Sequence, residues 1–126
     1  MKVLIVEDNP ARHDYFSKVY AGHDIVHAVN YSQAAQALSE NAFDIIQLDH
    51  DLGDFQIPEY STYQMYGQRE LTGYDVALYL VYNVPQNMWP KKVIIHSVNP
   101  NGANFIALLL EKNGIGYVKQ PFIIQE

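Results

Sequence analysis

The chain of 126 residues contains no cysteine. That excludes disulfides and thiolate metal sites and agrees with a cytoplasmic setting. No apolar run approaches the roughly 20 residues that a membrane-spanning helix needs. The start, Met1-Lys2-Val3-Leu4-Ile5-Val6-Glu7-Asp8, lacks the apolar stretch and small-residue cleavage site of a signal peptide. Basic residues are scarce: 8 Lys and Arg stand against 14 Asp and Glu, a net charge of −6. This opposes binding to long duplex nucleic acid through a general phosphate field. It is compatible with a small phosphorylated ligand held by a metal ion or by helix N-termini. Repeats and low-complexity tracts are absent too, so residues 1–126 are expected to form one globular domain.

What is present alternates regularly. Val3–Val6 is a short apolar run and predicts a buried strand. Asn9 and Pro10 then supply a cap and a first helical position, for a helix running to about Tyr20 with Phe16, Val19 and Tyr20 inward. Asp24–Val29 predicts a second strand. Asn30 or Ser32 can cap the next helix, whose Ala34, Ala35, Ala37 and Leu38 have helical spacing. Asp44–Leu48 predicts a third strand. A lid-length segment follows, about residues 53–72. Tyr74–Tyr82 predicts a third helix with Val76, Ala77 and Leu80 inward. Lys92–Ile95 is a fourth strand. Asn99-Pro100-Asn101-Gly102 is turn chemistry before a helix over Ala103–Lys112, and Ile115–Lys119 is a fifth strand. Alternating strands and helices imply an α/β domain with a parallel sheet and right-handed crossovers.

Titratable residues follow three of these strands: Glu7-Asp8, Asp49-His50-Asp51 and His96-Ser97. In an open parallel sheet, ligands bind beyond the carboxyl ends of the strands. Glu7, Asp8 and Asp49 together would crowd like charges, which a divalent cation relieves; Mg²⁺ or Mn²⁺ suits such oxygen donors. The plainer alternative is that Glu7 or Asp8 caps the first helix. His50 and His96 form a candidate general acid–base pair; a lone histidine more often hydrogen bonds a carbonyl. Ser97 and the N–H groups of Asn101, Gly102 and Ala103 offer an anion cradle, or an ordinary N-cap turn. For Asp51 three roles stand open: orienting His50, binding metal through water, or starting the loop. His13, His23 and His27 read as surface or packing residues.

Six of the 10 tyrosines fall between Tyr60 and Tyr82. Tyr60, Tyr63 and Tyr66 can stack on a nucleobase. Equally, they can pack onto the domain at helical spacing or form a homodimer surface, as can Phe122-Ile123-Ile124.

With Glu7-Asp8, Asp49 and Ser97 placed after the first, third and fourth strands, the chain resembles the receiver domains of two-component signalling. The resemblance implies a flavodoxin-like three-layer sandwich of strand order 2-1-3-4-5, with Glu7-Asp8 as acidic pair, Asp49 as phosphoacceptor and Ser97 after strand four. The chain departs from that pattern in four ways. Gln120, not Lys119, precedes Pro121; His50, Asp51 and His96 are additional; a long insertion follows strand three; and the last helix is missing. Lys119, one residue early, would point to the opposite face of a strand, which weakens it as a phosphate-binding residue. Leu48-Asp49-His50-Asp51-Leu52-Gly53, with Ile95-His96-Ser97-Val98-Asn99-Pro100-Asn101-Gly102-Ala103 and Pro121-Phe122, is more similar to the cyclic-phosphate-processing receivers.

That resemblance implies a metal-dependent phosphoesterase acting on a cyclic phosphate, in a small nucleotide or at an RNA end. Glu7, Asp8, Asp49 and Asp51 would hold the metal. His50, His96 and Asp49 would carry the chemistry, because ring opening requires activating water and protonating a ribose oxygen. Ser97, Asn101, Gly102 and Lys119 would bind phosphate. Two other readings are a nucleotide-sequestering module without turnover and an atypical receiver phosphorylated on Asp49.

Overall fold

The computed structural model of the protein describes residues 1–56 and 69–122, without the side chains of 55, 56 and 69. In chain order the elements are β1 (Lys2–Val6), α1 (Pro10–Val19), β2 (Asp24–Ala28), α2 (Tyr31–Glu40), β3 (Ile45–Leu48), β4 (Asp54–Gln56), β5 (Arg69–Leu71), α3 (Gly73–Asn83), β6 (Lys92–Ile95), α4 (Pro100–Lys112) and β7 (Tyr117–Lys119). The five-stranded sheet runs β2-β1-β3-β6-β7 with every pairing parallel. Setting aside β4 and β5, which pair only with each other, this is the 2-1-3-4-5 order of the flavodoxin-like fold.

Side chains alternate along each strand and so divide between two faces. Val3 and Ile5 pack with Phe16 and Tyr20 of α1 on one face. Leu4, Val6, Ile46, Leu48, Val93 and Ile95 pack on the other, against α2, α3 and α4. Each such aliphatic side chain contributes about 1.5–3 kcal/mol when fully buried. The result is three layers, α1 alone against α2, α3 and α4. Among the described residues no helix follows β7.

Local signals account for the helix starts. Asn9 and Asn99 accept from the N–H groups of Ala11 and Gly102, each with proline at the first helical position. Thr72 and Asp75 form a reciprocal capping box at α3. Asn30, not Ser32, caps α2.

Some expectations are corrected. Val19 is exposed, and the inner side of α1 is His13 and Phe16, with the buried Tyr20 just after the helix. The α4 helix begins at Pro100 rather than Ala103, because proline's fixed φ suits a first helical turn. The segment expected as a lid starts and ends as a hairpin, with Asp54 opposite Leu71 and Gln56 opposite Arg69. Asp54 also accepts from the Tyr31 N–H at 2.9 Å, which ties the hairpin to the start of α2. Tyr60, Tyr63, Tyr66, Ile123 and Ile124 lie outside the described residues.

Strand register places the site. Val6 pairs with Leu48, and Leu48 with Ile95. One residue further on, the ladder continues through Asp49 N–H to Val6 O (3.1 Å) and His96 N–H to Leu48 O (3.0 Å). Glu7, Asp49 and His96 therefore leave adjacent strands at the same level.

Candidate functional site

Glu7 is the hub. Its carboxylate is fully buried. Oε2 accepts from the Asn9 N–H at 3.0 Å, and Oε1 lies 3.0 Å from His96 Nε2 and 3.2 Å from Arg12 Nη1. Asp49, 3% exposed, accepts from the His50 N–H through Oδ1 at 2.8 Å. Its Oδ2 lies 3.6 Å from Arg12 Nη1. Ligand atoms of Glu7, Asp49 and His96 all fall within 4.8 Å of one another. In front of them opens a cleft of about 480 Å³ lined by Asp8, Arg12, Asp49 and Asp51, with Asn9-Pro10 and Val98 at its sides.

The two expected catalytic imidazoles are placed differently. His96 is 1% exposed, with its ring 4.8 Å from that of Phe16. Its Nδ1 lies 3.1 Å from Gln47 Nε2, and Gln47 Oε1 in turn accepts from the Tyr20 hydroxyl at 2.6 Å. With the amide donating to Nδ1, the ring proton sits on Nε2 and is donated to Glu7. Both ring nitrogens are thus committed, and His96 positions Glu7. His50 lies beyond Asp49, its Nδ1 2.7 Å from Asp51 Oδ1, against the first turn of α4. A Cβ on Gly102 would come within 2.3 Å of that ring. Neither imidazole lines the cleft.

The expected cradle is largely occupied from within. The Gly102 N–H is donated to Asn99 Oδ1, and the Ala103 N–H to the Asn99 carbonyl. The room that Gly102 leaves is taken by His50 rather than by an open approach. Ser97 is buried and its hydroxyl accepts from the Asn99 N–H at 3.0 Å. Asn101 is exposed on the first turn of α4. Asp51 is held by His50 and by Asn99 Nδ2 at 3.3 Å. Lys119 shares the strand face of Tyr117 and donates to Asn104 Oδ1 on α4 at 2.8 Å, away from the acids.

Three contributors were not foreseen from sequence. Arg12 is the cation of the cluster; being in the first turn after the acidic pair was the signal available. Gln47 was legible as the one polar residue in Ile45-Ile46-Gln47-Leu48. His13, read as a surface or packing residue, is buried, donates its Nε2–H to the Glu7 carbonyl and lies 2.6 Å from His27 Nδ1 through its own Nδ1.

Residues 2–112 match the family described as Cyclic-phosphate processing Receiver domain. The chain belongs to that receiver family. No curated protein matches it. Among solved structures it is similar to a CheY-like response regulator receiver domain from Methylobacillus flagellatus, at 17% identity and a TM-score of 0.64, covering 99% of this chain and 88% of that one. It is also similar to the receiver domain of the Francisella response regulator 1452, at 22% identity and TM-score 0.59, covering 97% and 85%. Against NtrX from Brucella abortus it has 18% identity and TM-score 0.62, covering 96% of this chain but only 24% of that one. At these identities the likeness is one of fold.

The electrostatics of this receiver site follow from crowding. Burial raises the Glu7 carboxyl, but hydrogen bonds from His96, Asp8 and the Asn9 N–H outweigh it and hold Glu7 down at about 2. Burial, then the hydrogen bond and charge of Glu7, push Asp8 up to about 6. Burial and Glu7 raise Asp49 as well. The donor set therefore fits a hard divalent cation: oxygen ligands with surplus negative charge, one of them, Asp8, holding its proton up to about pH 6. Asp8 and Asp49, with Glu7 behind them, would hold Mg²⁺ or Mn²⁺, which would supply charge neutralisation beside a phosphoryl oxygen.

A pH dependence follows. Asp8 is raised in the folded state, so its contribution to stability is present at low pH and is lost as pH rises through about 6. A divalent cation bound there would replace that proton. The rise in Tm on adding Mg²⁺ should therefore be larger at about pH 7.5 than at about pH 5, measured by thermal denaturation. Equal shifts at both would remove Asp8 from the cation site.

Proposed function

We propose that this is an atypical receiver in which Asp49 accepts a phosphoryl group beside a divalent cation. The observation that carries the reading is Asp49 itself. It follows the central strand and lines the cleft, with Oδ1 anchored by the His50 N–H at 2.8 Å and Oδ2 3.6 Å from Arg12 Nη1. Anchoring one oxygen presents the other as a fixed nucleophile. With a small donor such as acetyl phosphate, Oδ2 forms the new O–P bond as the bond to acetate breaks. The electron pair leaves with acetate and no proton moves. Incubation with Mg²⁺ and acetyl phosphate should add one phosphoryl mass to the wild type and none to Asp49→Asn. An unmodified wild type, also unresponsive to beryllofluoride, would sink this reading.

A second reading has its own support in the family description, which names cyclic phosphates, and in the His50–Asp51 pair at the rim, 2.7 Å apart. Such a pair can orient an imidazole for proton transfer to a cyclic phosphate. The substrate would be a small nucleotide or RNA end. Under it, the wild type with Mn²⁺ should open a 2′,3′-cyclic phosphate and His50→Ala should not. Absence of product across a panel of cyclic phosphates would leave the phosphoacceptor reading alone.

A further inference from the structure

We propose that Arg12 is the phosphate-binding cation of the cleft, gripping phosphoryl oxygens through the Nε/Nη2 edge of its guanidinium. The inference rests on the reading of the cleft as a phosphoryl site and deepens it. A phosphoryl group placed against Glu7, Asp8 and Asp49 meets three acids, so a fixed positive group is needed besides a divalent ion. Among the described residues Arg12 is the one cation lining the cleft. Lys119, on the α4 side of the sheet, is turned to Asn104.

The guanidinium is half used. Nη1 reaches Glu7 Oε1 at 3.2 Å and Asp49 Oδ2 at 3.6 Å. Nε is buried without a hydrogen-bond partner, and Nη2 makes no hydrogen bond among the described residues. A buried N–H left unpaired costs free energy and calls for an explanation. That Nε/Nη2 edge takes two oxygens of a phosphate side by side once the side chain turns Nε, closed to solvent in this structure, into the cleft. The guanidinium carbon lies 4.9 Å from the centre of the Phe122 ring, so the group rests against an aromatic face. A simple counterion for Glu7 and Asp49 would need only Nη1.

The test follows the Arg12 Nε–H resonance of ¹⁵N-labelled protein in Mg²⁺ while orthophosphate, then beryllofluoride, is added. The resonance should shift and its solvent exchange should slow. Arg12→Gln should weaken binding of either probe about tenfold. Arg12→Lys should restore only part, since it keeps the charge and lacks the fork. Lys119→Gln should bind as the wild type does. Three results would each overturn the proposal: an Nε–H unmoved at saturating probe, wild-type affinity in Arg12→Gln, or a wild type that binds neither probe. If Arg12→Gln fails to fold, the wild-type resonance and Arg12→Lys decide. Failure of the phosphoacceptor reading looks different: Asp49 stays unmodified while orthophosphate still moves the Arg12 signal.

Discussion

Glu7→Ala should lower the free energy of unfolding by about 3 kcal/mol, the scale of breaking a buried charge pair by removing one partner. The truncation strands three donors at once: the Asn9 N–H, His96 Nε2 and Arg12 Nη1. Two of these belong to side chains with little access to water, so solvent does not easily replace the lost carboxylate. One effect works the other way. Without Glu7, Asp8 loses its hydrogen-bonded and repelling neighbour, and that strain is relieved. The relief is small because Asp8 is at the exposed rim of the site. The same variant makes a second, spectroscopic prediction: the Asp8 carboxyl should fall from about 6 toward the ordinary carboxylate range, followed by NMR titration. Chemical denaturation of Glu7→Ala at a cost below about 1 kcal/mol would mean that Glu7 is not the hub described here.

Gly73→Ala should be nearly as damaging, and its sign decides between two effects. Helix propensity alone favours alanine over glycine by about 1 kcal/mol in a helix interior, less at an end. Sterics oppose it. A Cβ on Gly73 would lie 1.9 Å from the Asp49 carbonyl oxygen, 2.8 Å from its carbon and 3.1 Å from His50 Cα. All three atoms are backbone, so no rotamer change makes room. The contact exists because the Gly73 N–H is donated to the His50 carbonyl at 2.8 Å, which locks the start of α3 onto the end of β3. Moving the helix away breaks that bond and shifts both Asp49 and His50. A loss of about 3 kcal/mol, or a Tm lower by about 10 °C, is expected, together with loss of phosphoryl labelling at Asp49. Gly102→Ala makes the useful contrast. There the obstacle is the His50 ring at 2.3 Å, a side chain able to swing aside, so the cost should fall on the orientation of His50 more than on stability. A Gly73→Ala protein as stable as the wild type would refute the close approach of α3.

Both predictions concern backbone and hydrogen-bond relations that cross between elements, and this is where the sequence became hard to read. Val3–Val6 and Lys92–Ile95 were legible as buried strands because apolar runs bounded by charge are local signals. Asn9-Pro10 announced a helix start for the same reason, whereas Asn99-Pro100, read as a turn, proved to be one too. The convergence of Glu7, Asp49 and His96 could be expected from their places one residue past three strands. Lys119 could be doubted because an odd shift along a strand changes its face. Arg12 was overlooked because a place in the first turn after the acidic pair does not by itself distinguish a cation facing the cleft from one facing solvent.

By itself, then, the sequence determined the α/β alternation, the strand order through its family resemblance, and which acids gather at one rim. The alternation and the gathering of acids follow from periodicity, turn chemistry and handed crossovers, whereas the strand order rests on the resemblance alone. Only the tertiary structure decided that His96 is a buried strut for Glu7, that His50 packs on Gly102, and that Arg12 holds the positive charge. Such roles depend on which hydrogen-bond partner claims each nitrogen once the layers close. That competition among groups distant in the chain leaves no local pattern in the sequence.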